Sequence, residues 1–178
     1  MSRWRAAAGS ALFFALAPGM VAGLIPWRLT GWEVEASGFI WLPFQVAGVI
    51  VLIVGVGVLL HAFARFVAEG IGTPAPVAPT ERLVIGGLYR YVRNPMYLAV
   101  LATIAGQALA LGQVELLAYA ALLAAAFAVF VHWYEEPTLQ RRFGEEYDAY
   151  RRAVPAWIPR LRGESNRRGT RGAAAGKR

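Results

Sequence analysis

"FIWLPFQVAGVIVLIVGVGVLLHAFARF", residues 39–66, is the stretch that decides the fold. At about 1.5 Å of rise per helical residue it crosses roughly 30 Å of hydrocarbon with some tilt. Three further apolar runs lie around it, at about 6–25, 96–111 and 114–133. Only Gly112 and Gln113 separate the last two, which reads as a tight helical hairpin. The first follows Arg3 and Arg5 and is interrupted by Pro18 and Gly19. A signal peptide begins in the same way, but no A-x-A type cleavage site ends this run, so a retained helix is expected.

Composition agrees with a membrane protein. Of 178 residues, 57% are hydrophobic and only 16% charged, with a mean hydropathy of +0.45. The absence of cysteine excludes disulfide frameworks, thiolate metal sites and cysteine nucleophiles, and two histidines, His61 and His132, argue against a histidine-rich metal site. The net charge of +7 could suggest nucleic acid. Much of the excess, however, lies in the tail from Arg160 to Arg178 and beside the apolar runs, where anionic lipid headgroups are the better partner.

The placement of Lys and Arg sets the expected orientation. Arg3 and Arg5 precede run one, Arg65, Arg82, Arg90 and Arg93 lie between runs two and three, and Arg141, Arg142, Arg151 and Arg152 follow run four. The opposite connections hold only Arg28. Four spans with both termini in the cytoplasm satisfy this distribution. Prolines 74, 76 and 79 impose an extended path on the connector before residue 86. After Pro137, Leu139, Phe143, Tyr147 and Tyr150 recur every three or four residues, the pattern of an amphipathic helix along the membrane face, weakened at Gly144. The expected fold is therefore all-α and polytopic: about four transmembrane helices and a C-terminal amphipathic interfacial helix in a domain over residues 1–162, then a disordered basic tail over 163–178.

Two places put charge where it is costly. Glu135 and Glu136 close the fourth run, and "YRYVRNPMYLAV", residues 89–100, carries arginines, an asparagine and tyrosines to the edge of the third. An acid near a helix centre costs on the order of 2.5 to 3.5 kcal/mol, less near an end. Adjacent helical residues point about 100° apart, so the two acids need different partners. One reading is a solvated pair that ends the span. The other is a polar pocket in which Arg90 or Arg93 neutralises them. Carboxylates, a forked arginine and tyrosine rings suit a ligand bearing ribose, ammonium, carboxylate, an aromatic base and a positive centre, and S-adenosyl-L-methionine has all of these. Interfacial Trp, Tyr and Arg belts use the same residues.

"GLYRYVRNPMYLAV" followed some forty residues later by "YEEPTLQRRFGEEYDAYRRAVPAWIP" resembles the integral-membrane methyltransferases that include isoprenylcysteine carboxyl methyltransferases and phospholipid N-methyltransferases. The similarity covers about residues 55–159. It implies methyl transfer from S-adenosyl-L-methionine to an amphiphilic membrane substrate, in a pocket built from regions 86–98 and 132–159. Arg93, Asn94, Pro95 and Tyr97 match the family's Arg-His-Pro-x-Tyr element, Asn94 standing where the carboxyl methyltransferases have histidine, and Glu135 and Glu136 match its acidic pair. The resemblance implies catalytic roles for Arg93, Glu135 and Glu136. It implies cofactor contacts from Tyr89, Arg93, Asn94, Pro95, Tyr97, His132, Glu135 and Glu136, and from Gly55 and Gly57 if Gly55-Val56-Gly57 is the family's Gly-x-Gly. Small residues in a span also serve helix packing, and His132, one turn before the acids, is open between a site role and none.

Pro95 at the first turn of span three leaves free N–H groups that could receive a carboxylate. No residue chooses among carboxyl, amine and thiol acceptors, and oligomeric state is not legible. Two other classes share the hydrophobic plan, a sterol-reductase-like membrane reductase and a non-catalytic scaffold. The first needs a nicotinamide cofactor, and the Glu-Glu pair argues against it. Abundant Ala, Gly and Arg without cysteine is compatible with a bacterial inner membrane.

Overall fold

The computed structural model describes residues 17–70 and 83–160, except the side chains of 66–70. Among the described residues there is helix, turn and irregular chain but no strand. The helices are α1 (Ile25–Thr30), α2 (Leu42–Gly70), α3 (Pro95–Leu111), α4 (Val114–Phe130), α5 (Glu136–Phe143) and α6 (Glu145–Ala153). Wide π-type turns at Met20–Leu24 and Val131–Glu135 lead into α1 and α5, and a 3₁₀ turn occupies Gly87–Arg90.

Two of these segments are long and apolar enough to cross a membrane, Leu42–Arg65 and the continuous helical stretch Val114–Phe143. Only 22% and 11% of their most apolar windows are buried. The core helix of a soluble protein would be mostly covered, so these surfaces suit lipid. Helix α2 starts three residues later than its apolar run, leaving Phe39 and Ile40 exposed ahead of it. The fourth run does not stop at residue 133 either, because its helix continues through both acids. Most of the expected first span, the connector at 71–82 and the basic tail fall outside the described residues.

The shorter apolar helix α3 sits in the middle and buries Ala99, Val100, Ile104 and Ala108. It meets α2 backbone to backbone. A Cβ added to Gly106 would come 2.5 Å from the Leu52 nitrogen, and one added to Gly55 would lie 2.9 Å from the Thr103 nitrogen. Glycine lets two such helices approach closely enough for dispersion contacts along their backbones. Gly112, at φ 73°, ends α3 in the left-handed region and turns the chain into α4 as the hairpin requires.

Each wide turn sits two residues ahead of a proline, Pro26 or Pro137, and the missing proline N–H explains much of the local bonding. The Ile25 N–H reaches back five residues to the Met20 carbonyl. Pro26 has no N–H to donate to Val21 or Ala22, the carbonyls five and four residues before it. Tyr119 of α4 donates its hydroxyl to Val21 O at 3.0 Å, and Gln107 of α3 donates Nε2 to Ala22 O at 2.7 Å. The Gln107 Oε1 in turn accepts from the Trp32 indole at 3.1 Å. These bonds fasten the N-terminal segment onto α3 and α4, satisfying polar groups that lipid could not.

Candidate active site

The residues before α3 are held by an arm formed by residues 150–160. Pro95 occupies the first turn of α3, and Asn94 stands at the cap position without capping it. The Asn94 amide instead donates to Ala156 O at 3.1 Å. The Arg93 backbone N–H donates to Pro155 O at 2.9 Å, and that of Arg160 to Tyr91 O at 3.0 Å. Tyr150 donates its hydroxyl to Tyr89 O at 2.7 Å.

This arm can reach the loop because Gly144, at φ 53° and ψ −123°, breaks the expected single amphipathic helix into α5 and α6. Two members of its aromatic stripe, Tyr147 and Tyr150, consequently turn onto the 89–94 loop. Burial pushes both phenols above their ordinary pKa range, reinforced at Tyr147 by Glu136, so each is a neutral hydroxyl.

The two acids take separate partners. Glu135 Oε2 accepts from the Tyr97 hydroxyl at 2.9 Å. Glu136 Oε1 accepts from Arg93 Nη1 at 2.6 Å, with the two side chains 13% and 11% exposed, and Arg151 Nη2 lies 3.6 Å from Glu136 Oε2. The reading of a solvated pair is thereby set aside. The wide turn helps to aim Glu135. Phe127 and Glu135 are eight residues apart, about 80° out of line on a regular helix, and one extra residue in the turn removes most of that offset.

Glu135 and Phe127 do share a cavity. Tyr89, Arg93, Asn94, Tyr97 and Glu135 bring polar groups to its lining, beside Pro95 and Met96 at the start of α3. Val21, Leu59, Val100 and Phe127 give it an apolar side, to which Ala17 and Pro18 of the N-terminal segment add. Tyr97 packs its ring 4.6 Å from Phe127 and 6.4 Å from Trp157 of the arm.

Six of the residues expected at the site, Tyr89, Arg93, Asn94, Pro95, Tyr97 and Glu135, line this one cavity, and Glu136 stands behind its wall through Arg93. Three stand apart from it. Gly55 is engaged in the α2–α3 crossing. Gly57 is exposed, with open space where a Cβ would be. His132 is exposed and packs edge-on against its neighbour Trp133, because the wide turn that brings Glu135 inward leaves residues 132–134 outside.

The sequence reading missed Phe127, Tyr147 as a partner of Arg93, and the N-terminal wall. Pro137 was the available signal for the first, since a proline there forecasts an adjusted turn. Nothing local marks the others.

In chemical terms the cavity joins a carboxylate, a phenol, an arginine and two aromatic faces to an apolar side. Such a donor set fits a charged, base-bearing ligand next to an apolar chain. Residues 44–146, more than half of the chain, match the family model described as phospholipid methyltransferase. No curated protein and no solved structure matches.

Proposed function

This chain belongs to the phospholipid methyltransferase family, and we propose that it transfers a methyl group from S-adenosyl-L-methionine to the amine headgroup of an amphiphile drawn from the bilayer. One observation carries this reading: a single cavity is lined both by the polar groups of Glu135, Tyr97 and Arg93 and by the apolar side chains of Val21, Leu59 and Phe127. An amphiphile needs both. An amine acceptor is favoured over a carboxylate because Glu135 is hydrogen-bonded to a phenol while Arg93 is paired with Glu136, leaving Glu135 to face a cation.

When bound, the cofactor supplies a methyl group on a positively charged sulfur, an electrophile that requires no further activation. The residues then have distinct tasks. Glu135 and the aromatic faces of Tyr97 and Phe127 hold positive charge, and Arg93 holds negative charge. Glu135 is also placed to take the proton that an ammonium must lose before its nitrogen can attack. The loop and arm would exclude water and hold amine, methyl and sulfur in line, so that a bimolecular displacement, with the C–N bond forming as the C–S bond breaks and the sulfur leaving as a neutral thioether, becomes effectively intramolecular.

The proposed setting is a plasma membrane crossed by α2, α3 and α4 and by the expected first span, most of which lies outside the described residues. Both termini and the 89–94 loop lie on the basic, cytoplasmic side, and α5 and α6 cover the site at the interface. The test uses purified full-length protein in lipid nanodiscs. Saturable binding of S-adenosyl-L-methionine and transfer of labelled methyl into an amine-bearing lipid are expected. Absence of binding, or binding undiminished in Glu135→Gln/Glu136→Gln, would overturn the reading.

A further inference from the structure

Tyr147 lies just beyond the stretch that matches the family and does not line the cavity. It is nonetheless one of the most buried side chains described, 2% exposed. Its hydroxyl oxygen accepts from Arg93 Nη1 at 3.0 Å, and the same nitrogen donates to Glu136 at 2.6 Å. The other side of the guanidinium differs. Arg93 Nε is buried and has no hydrogen-bond partner among the described residues, although Arg93 lines the cavity. A buried cationic N–H without an acceptor is costly, and native folds rarely leave one without a reason. Two acceptors on Nη1, from separate helices, fix the plane of the guanidinium and thus the direction of Nε–H.

We propose that Tyr147 is a positioning residue, whose hydroxyl holds the Arg93 guanidinium so that Nε–H meets an anionic group of the bound ligand. This rests on the reading of the cavity as the cofactor site, where the available anion is the carboxylate of the methionyl portion. Tyr150, one turn further along α6, is the natural contrast, because its hydroxyl bonds to a backbone carbonyl and holds the loop only.

The test measures binding of two probes to the full-length protein in nanodiscs. One is S-adenosyl-L-methionine, and the other is 5′-methylthioadenosine, which lacks the amino-acid portion and its carboxylate. Tyr147→Phe keeps the ring and removes the acceptor. It should weaken the first probe about tenfold, the usual scale for a hydrogen bond to a charged group, and leave the second unchanged. With Arg93→Lys, or Arg93→Gln if the lysine variant does not fold, adding Tyr147→Phe should have no further effect, since the tyrosine acts through the arginine. Tyr150→Phe should lower the unfolding midpoint without separating the two probes.

Unchanged affinity in Tyr147→Phe, equal weakening of both probes, or effects that add in the double variant would each overturn the proposal. A wild-type protein that binds neither probe overturns the cofactor reading and this inference together. One that binds both equally well overturns the anion contact alone.

Discussion

Glu136 Oε1 and Arg93 Nη1 lie 2.6 Å apart across 43 positions of sequence, joining the end of one apolar helix to the start of another. The pair is nearly dry. Removing one member of such a pair strands the other, so Arg93→Ala should destabilise the protein by about 3–5 kcal/mol. Arg93→Met combined with Glu136→Leu should recover most of that loss. Denaturant unfolding in detergent, followed by circular dichroism, checks both, and full recovery of stability without recovery of methyl transfer would separate the structural role of the pair from its function.

Glu135 has a different neighbour and a different expected phenotype. Its hydrogen bond to Tyr97 involves no arginine, so Glu135→Gln should lower stability by about 1 kcal/mol or less. Cofactor affinity should fall by about tenfold to a hundredfold if the carboxylate meets a cation. Isothermal titration on the wild type and variant measures the ratio.

Gly106→Ala tests the helix crossing. The new methyl would meet the Leu52 nitrogen at 2.5 Å and the Gly48 carbonyl oxygen at 2.9 Å, an overlap that only backbone separation relieves, at about 1–3 kcal/mol. Gly57→Ala, by contrast, places its methyl in open space and should be neutral or stabilise by up to about 1 kcal/mol through helix propensity. Thermal unfolding of the two variants side by side decides whether the two glycines do different jobs.

The phenols of Tyr147 and Tyr150 have pKa values raised on folding, which fixes the sign of an alkaline effect. Below the unfolded value of about 10 both states are protonated and the fold keeps its full stability. Above it the unfolded phenols ionise while the folded ones resist, so stability falls as pH rises toward the folded values. Tyr150→Phe should be less stable at neutral pH by about 1 kcal/mol, through loss of its bond to Tyr89 O, and should lose less on going above about pH 10. Denaturant midpoints from neutral to alkaline pH show whether the two curves converge.

Much of the architecture follows directly from apolar run length. The limits of α3 and α4 match their runs to within a residue at three of their four ends, because Pro95, Gly112 and Gln113 mark those boundaries chemically. The meeting of Arg93 with one of the acids, Glu136, was legible too, since charges at the edge of an apolar run need partners. The direction of each acid was not, because a helical wheel assumes 100° per residue and the turn at Val131–Glu135 departs from it. The inward turn of Tyr147 was open, since the resemblance implies that Tyr147 and Tyr150 help cover the pocket while periodicity alone fits the membrane face equally well. An aromatic stripe beside basic residues reads as membrane-facing, and only the break at Gly144 sends it to the loop instead. Gly55 shows a further ambiguity, as close packing and ligand approach call for the same residue.

The segment over residues 150–160 grips the loop through main-chain carbonyls: Pro155 O, Ala156 O, Tyr89 O and Tyr91 O are the acceptors in all four ties. A carbonyl is present whatever the side chain. The donors are two backbone N–H groups and the side chains of Asn94 and Tyr150; Tyr91 and Ala156 contribute only carbonyls, so their side chains are free to drift, or to carry a fluorophore, while the latch keeps its shape.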